Sequence, residues 1–435
     1  MRNNSLLRIL ILALILGSYT ALAEATAKPE SGIRKIGHIV VIYLENHSFD
    51  NLYGLFPGAD GIAQATSEQY LQEDLDGKPY DVLPQTHPQF PADLPNRPFD
   101  LGRFVRPDEK LPDLTHRFAE HQAQINSGKL NRFAAVSSAK GMAMGYYDGR
   151  KLPLWQYARR YTLADHFFQA AFGGSYLNHQ WLICACTPHV DSPPAKLLAN
   201  GTITPDGYAV NTVQPANGPH DPKTPTEQLI APFPRSQTTI GDRLTEKGIS
   251  WAWYAGGWSK ALAGRPAKNF QFHHQPFSYY QRYAGTEEGR VRLKDETDFV
   301  ADIKRGRLPP VAFYKPIGEL NEHPGYADVI SGEKHIAELL KQIEHSPIWK
   351  DAVVIVTYDE YGGFWDHVPP PAGDRWGPGS RIPTIIVSPF AKRGYVDKTV
   401  YDTTSILKLI ENRFGLEPLG ERDRKANDLS NALKF

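Results

Sequence analysis

Runs of consecutive apolar residues, rather than alternating ones, punctuate this chain. "HIVVIYL" (38–44), "SWAWYA" (250–255), "VAFYKP" (311–316), "AVVIVTYD" (352–359) and "TIIVSPF" (384–390) have the length and the β-branched or aromatic content of buried strands. Between them lie stretches with helical spacing: "LPLWQYARRY" (152–161), "SYLNHQWLICA" (175–185), "SGEKHIAELLKQIEHS" (331–346) and "TTSILKLIENRFG" (403–415). A strand that is apolar on both sides belongs in a sheet covered on both faces. The pattern therefore predicts an α/β sandwich, with a mostly parallel central sheet and helices on both sides of it. The Pro- and Gly-rich stretch 187–240 is poorly patterned. It reads as an elaborated loop region within one domain spanning 24–435, in which 187–300 is a variable, loop-rich insertion region, with a linker between domains as the alternative.

The polar residues that end two of the apolar runs raise the first chemical question. "VVIYL" stops at Glu45-Asn46, inside "ENHSFDNLYG", and "VVIVTY" stops at Asp359-Glu360. Sites in open α/β sheets form at the carboxyl ends of strands, so two such pairs can meet in one cleft. Carboxylates and an amide suit a hard divalent cation, with Ca, Mg and Mn favoured over softer metals. A second element is "AAFGGSYLNHQWL". Gly173-Gly174 permit a sharp turn, and Ser175 then stands at the start of a helix, where free N–H groups favour anions. Ser175 is there either as a helix cap or as a nucleophile toward phosphorus, with Asn178 about one turn on along the same face. Position 177 is Leu, so the hydrolase elbow G-x-S-x-G is absent, and so is the phosphate-binding P-loop. Histidines form a third element. His116, His273-His274, His323 and His367 lie in Pro-bearing loops or beside polar residues and are candidates for proton transfer or phosphate contact.

Composition narrows the setting. The chain has 435 residues, is 41% hydrophobic and carries zero formal net charge, which gives no broad attraction to nucleic acid or anionic lipid. Arg2, the apolar "LLRILILALILG" and "ALA" at 21–23 form a signal peptide over 1–23, with an uncleaved anchor as the alternative. The mature chain is expected to be periplasmic or secreted, with no stable membrane anchor. Cys184 and Cys186, one residue apart, are expected to be small buried residues rather than a disulfide or a metal site.

These residues carry a family resemblance. "ENHSFDNLYG" resembles the opening of the bacterial phosphoesterases that comprise phosphatidylcholine-type phospholipases C and related acid phosphatases, within the alkaline phosphatase superfamily. "DLTHRF", "GGSYLNHQWLI", "NEHPGYADVISGEKHI", "VIVTYDEYGGFWDHVPPP" and "YDTTSILKLIENRFGL" resemble further blocks of that family in its order, from Ile36 to about Leu416. The resemblance implies an alkaline phosphatase-like three-layer sandwich. It implies one divalent cation at Glu45, Asn46, Asp359 and Glu360, with Ser175 as a nucleophile that also touches the metal. His116 and His323 become phosphate contacts or proton donors, His274 a third in competition with His273, and Asn46 and Asn178 substrate contacts. Two residues depart from the pattern: His47 stands where Arg is usual, and Ser175 where the phospholipase branch has Thr. The second departure favours an acid phosphatase acting on small phosphomonoesters through a phosphoserine, with an acidic optimum. A phospholipase C is the alternative, and a non-catalytic phosphate-binding protein a second one.

Overall fold

The computed structural model describes residues 32–435, so the expected signal peptide lies outside the described residues. Eight strands build one sheet: β1 His38–Leu44, β2 Thr162–Ala164, β3 Trp251–Ala255, β4 Leu293–Asp295, β5 Val311–Lys315, β6 Ala352–Tyr358, β7 Thr384–Val387 and β8 Tyr395–Asp397. Their order across the sheet is β8-β2-β7-β6-β1-β5-β3-β4. Only β7 runs against the rest, pairing antiparallel with β6 and β2, while every other neighbouring pair is parallel. The five strands predicted from apolar runs are all present. β3, β5 and β6 are buried at every position and β1 at all but His38, so both faces of the sheet centre are covered. That is why these segments read as continuous rather than alternating apolar runs.

Six helices bear on the site: α1 Phe49–Tyr53, α2 Phe118–Ile125, α3 Pro153–Arg160, α4 Ser175–Cys184, α5 Val329–Glu344 and α6 Thr404–Phe414. Local chemistry sets their ends. α3 begins on Pro153, whose missing N–H costs nothing at a first helical position. The Asp328 side chain caps α5 by accepting from the Ser331 amide at 2.8 Å, and α6 stops at Gly415, which takes φ +63°. α3 packs on α5, and α4 on α6.

One expectation changes. Cys184 and Cys186 do form a disulfide. α4 ends with Ala185 in the left-handed conformation, φ +49°, which folds the chain back and leaves the two Cα atoms 5.1 Å apart, within bridging range. In the stretch 187–240, Val190, Leu197, Ile203, Val210, Ile230 and Phe233 join the same hydrophobic core as the sheet. The later part of the 187–300 region even supplies β3 and β4.

The Asp50 of "ENHSFDNLYG" has a structural task. It lies on α1, fully buried, with Arg381 Nη2 3.2 Å from Oδ1 and His367 Nδ1 2.6 Å from Oδ2. Asp366 accepts from Arg381 Nε at 2.8 Å, and Asp60 meets His367 Nε2 at 3.1 Å. Asp50, Asp366 and His367 have the geometry of a metal-ligand group, but the Arg381 guanidinium already supplies the positive charge. Burial alone would push the His367 imidazole down, yet its hydrogen bond to Asp50 and the charges of Asp50 and Asp366 outweigh that and raise it to about 9. A histidine raised in the folded state stabilises fully below its unfolded value, about 6.5, and that stabilisation fades as pH climbs toward 9. The wild-type melting temperature should therefore fall between pH 6.5 and 9.5. His367→Gln should be less stable at pH 6 and flatter across that window, with a gap on the order of a few kcal/mol at its low end. Parallel pH slopes for the two proteins would refute the assignment.

Candidate active site

Register alone brings the two polar pairs together. β1 and β6 are parallel neighbours with Leu44 opposite Tyr358, so Glu45 and Asp359 emerge side by side at the carboxyl end of the sheet. The Asp359 amide donates to Leu44 O at 3.0 Å, extending the ladder into the site. Asn46 then turns away at φ +69°, a conformation uncommon outside glycine and concentrated at functional sites. Gly362, at φ +66° in the loop after β6, lies against it; a Cβ at 362 would come within 2.0 Å of Asn46 O. That contact locks the Glu45-Asn46 turn to the Asp359-Glu360 turn.

Ser175 arrives from the other side. Gly173 takes φ +84° and passes so close to α2 that a Cβ would sit 2.6 Å from the Phe118 backbone. Gly174 occupies the cap position of α4, so Ser175 is the first helical residue and not the cap. Its hydroxyl donates to Asn46 Oδ1 at 3.3 Å, and its nearness to Asp359 favours the charged form of that carboxyl. The nucleophile candidate, the amide and the carboxylates thus form one cluster.

All four polar residues of the two pairs are fully buried. Burial first, then the neighbouring Glu45 charge, raises Asp359 to about 6 despite Lys315. Burial and the adjacent Asp359 push Glu360 well above the ordinary carboxylate range. Glu45 is the reverse case: burial would raise it, but His274 and Lys315 hold it well below its usual value. Asp359 Oδ1, Glu360 Oε1 and Asn46 Nδ2 have no hydrogen-bond partner among the described residues. Buried, mutually repelling carboxylates with free oxygens are costly unless a cation meets them, so this donor set fits a hard divalent metal.

Lys315 went unnoticed in the sequence. It ends β5, fully buried, with Nζ 2.9 Å from Glu45 Oε1, 3.4 Å from Asp359 Oδ2 and 3.2 Å from Leu44 O. The available signal was a lysine closing an otherwise apolar run, "VAFYK". Tyr326 donates to Glu45 Oε2 at 2.8 Å. His179, one turn beyond Ser175 on α4, puts Nδ1 2.7 Å from Ser175 O and 3.7 Å from Asp359.

Apart from His367, the predicted histidines divide into two pairs. His116 Nδ1 lies 2.6 Å from Leu114 O and His323 Nδ1 2.5 Å from Pro324 O. A carbonyl only accepts, so each Nδ1 carries a proton and each Nε2 is left to face the site. There His116 Nε2 is 3.7 Å from Glu360 and His323 Nε2 4.0 Å from Glu45, with the two rings 5.5 Å apart. The other pair splits its duties. His274 Nε2 presses on Glu45 Oε1, away from the open cleft, whereas His273 lines the pocket in front of Ser175. Burial lowers His116, pushes His274 down to about 4 and holds His273 well below the ordinary value. These three imidazoles bring less positive charge than loop histidines would, and the buried cation of the site is Lys315.

Asn178 does not reach the pocket. Its Oδ1 accepts from the Ala171 amide at 2.9 Å and its Nδ2 lies 3.2–3.3 Å from the carbonyls of Ala171, Gly173 and Gly174. The expected substrate contact is instead a brace for the loop that presents Ser175, because its amide is bonded to the backbone of Ala171, Gly173 and Gly174. His47, where the family pattern has Arg, stacks on Phe364 and reaches the Glu322 carbonyl at 3.0 Å, tying the Glu45 loop to the His323 loop.

The fold and this cluster define an α/β protein with an acidic, cation-fitting cleft and a helix-borne serine at the carboxyl ends of its strands. A family model described as the Phosphoesterase family matches residues 36–417, and the chain belongs to that family. It is similar to a non-hemolytic phospholipase C of Pseudomonas aeruginosa, 24% identical over 95% of this chain, and spans 59% of that protein's length. It is also similar to phospholipase C A of Mycobacterium tuberculosis, 25% identical over 92% of this chain and 77% of the relative. Among solved structures, a phosphonate monoester hydrolase from Silicibacter pomeroyi is similar with a TM-score of 0.37 and 11% identity, over 65% of this chain and 72% of its own.

Proposed function

We propose that this chain hydrolyses phosphoesters, as an exported metal-dependent phosphatase of small phosphomonoesters working through a phosphoserine. The observation that carries the reading is Ser175 at the start of α4, hydrogen-bonded to Asn46 beside buried carboxylates with unpartnered oxygens. Glu45, Asn46, Asp359 and Glu360, with Ser175, would hold one divalent cation of the Ca, Mg or Mn class. Such a cation, when bound, supplies charge neutralisation to a phosphoryl group.

The remaining work falls to the chain. The free N–H groups at the start of α4 favour an anionic phosphoryl group next to Ser175 Oγ. Oγ attacks phosphorus, the ester oxygen leaves, and water later releases phosphate from the serine. His116 and His323 each offer Nε2 as the nitrogen able to exchange a proton with the leaving oxygen, since Nδ1 is committed to a carbonyl. Lys315 holds Glu45 and Asp359 in place from behind.

The names of the relatives favour a second reading, a phospholipase C acting on a phosphodiester. Side-by-side hydrolysis of aryl or sugar monoesters and of phosphatidylcholine, before and after chelation, separates the two. The monoesters should show the higher kcat/KM, and chelation should abolish both activities. Elemental analysis should find divalent metal in the dialysed wild type and not in Asp359→Ala. A phospholipid turned over faster at every pH would move the assignment to phospholipase C, and active metal-free enzyme would end the metal assignment.

A further inference from the structure

The pocket in front of Ser175 has a volume of about 310 Å³, and most of its lining surface is polar. Asp113, Arg117, Thr202, Thr212, Gln271 and His273 surround the space beyond the serine. Several of these groups are unspent. The hydroxyls of Thr202 and Thr212 and the amide of Gln271 form no hydrogen bond among the described residues, and His273 Nδ1 is buried without a partner. Asp113, with a half-exposed carboxylate, lies 3.7 Å from His116 and close to His323. The one aromatic phenol in the wall, Tyr326, is stacked on His323 and spends its hydroxyl on Glu45. No Leu, Ile, Val, Met, Phe or Trp lines this space.

We propose that the alcohol leaving from the phosphate is a hydroxyl-rich one, a sugar or polyol, held by Thr202, Thr212, Gln271 and Asp113. The inference rests on the phosphomonoester reading above and gives its leaving group. An acyl or alkyl group gains only where apolar walls remove it from water, and no aliphatic side chain lines this pocket to do so. A hydroxylated group finds both donors and acceptors within the same walls. A site built to hydrogen-bond a hydroxyl also rejects the analogue lacking it, because the wall groups are then left unpaired. The volume lies at the lower end of the roughly 300–1,000 Å³ of small-molecule sites, enough for one compact leaving group. Two of these contacts, Thr202 and Thr212, come from the poorly patterned 187–240 stretch, so that stretch sets specificity while the strand ends carry out the chemistry.

The test uses the metal-loaded full chain and two monoesters with the same phosphate, a hexose 6-phosphate and hexyl phosphate. The wild type should favour the hexose ester in kcat/KM by about ten-fold or more, in line with one or two net hydrogen bonds. Thr212→Val and Gln271→Leu should each cut the hexose-to-hexyl ratio several-fold. Thr212 is exposed, so its replacement should leave folding intact, and melting curves verify that. Hexyl phosphate turned over as well as the hexose ester, or a ratio unmoved in both variants, would overturn the inference while leaving the phosphatase reading in place. Phosphatidylcholine turned over while both monoesters are refused would instead overturn the phosphatase reading itself.

Discussion

Ser175→Ala is expected to lower turnover on the order of a thousand-fold or more, with the fold unchanged. α4 delivers this hydroxyl to the carboxylate cluster, through Asn46 at 3.3 Å. Removing it closes the covalent route altogether, while the carboxylates, the helix terminus and the imidazoles remain to support only weak direct attack by water. Acid quenching of the wild type during turnover of labelled substrate should trap phosphate on the chain, and the same quench of Ser175→Ala should trap none. Near-normal turnover in the variant would remove Ser175 from the mechanism.

Lys315→Met is expected to cost about 3–5 kcal/mol of stability in the chelated protein, the usual penalty for breaking a buried pair from one side. Methionine nearly matches the side chain in length, so the loss reports charge rather than a cavity. Glu45 and Asp359 would then be left buried and repelling, without the ammonium that now stands 2.9 and 3.4 Å from them. Saturating divalent metal should restore part of the loss, because a cation bound to the native state stabilises by mass action and meets the same carboxylates. Denaturant unfolding in chelator and in excess metal reads both effects. A variant as stable as the wild type in chelator would show that Lys315 does not hold the cluster together.

The sequence by itself determined five of the eight strands of the sheet and the acidic residues that end two of them. "HIVVIYL" and "AVVIVTY" are apolar at nearly every position, and no local alternative to a doubly covered strand accommodates that. Glu45, Asn46, Asp359 and Glu360 follow directly on those strands, and parallel neighbours must place their carboxyl ends together. "AAFGGS" likewise announced a turn and a helix start, because a glycine at φ +84° and an exposed set of N–H groups are local properties.

What only the tertiary structure decided are partnerships between residues far apart in the chain. Lys315 became the cation of the site because β5 is seated beside β1, and nothing in "VAFYKP" states which strand lies next to it. His274 went to Glu45 and His273 to the pocket through the short helical turn at 272–274, which adjacent positions in a sequence cannot resolve. Asn178 was spent on its own loop, and Asp50 on Arg381, 331 residues away. Cys184 and Cys186 could bridge only because Ala185 adopts a left-handed turn at the end of α4. Periodicity fixes which side of an element is buried. Which charged or polar group it meets there depends on strand order and register, and those are set by the packing of the whole chain.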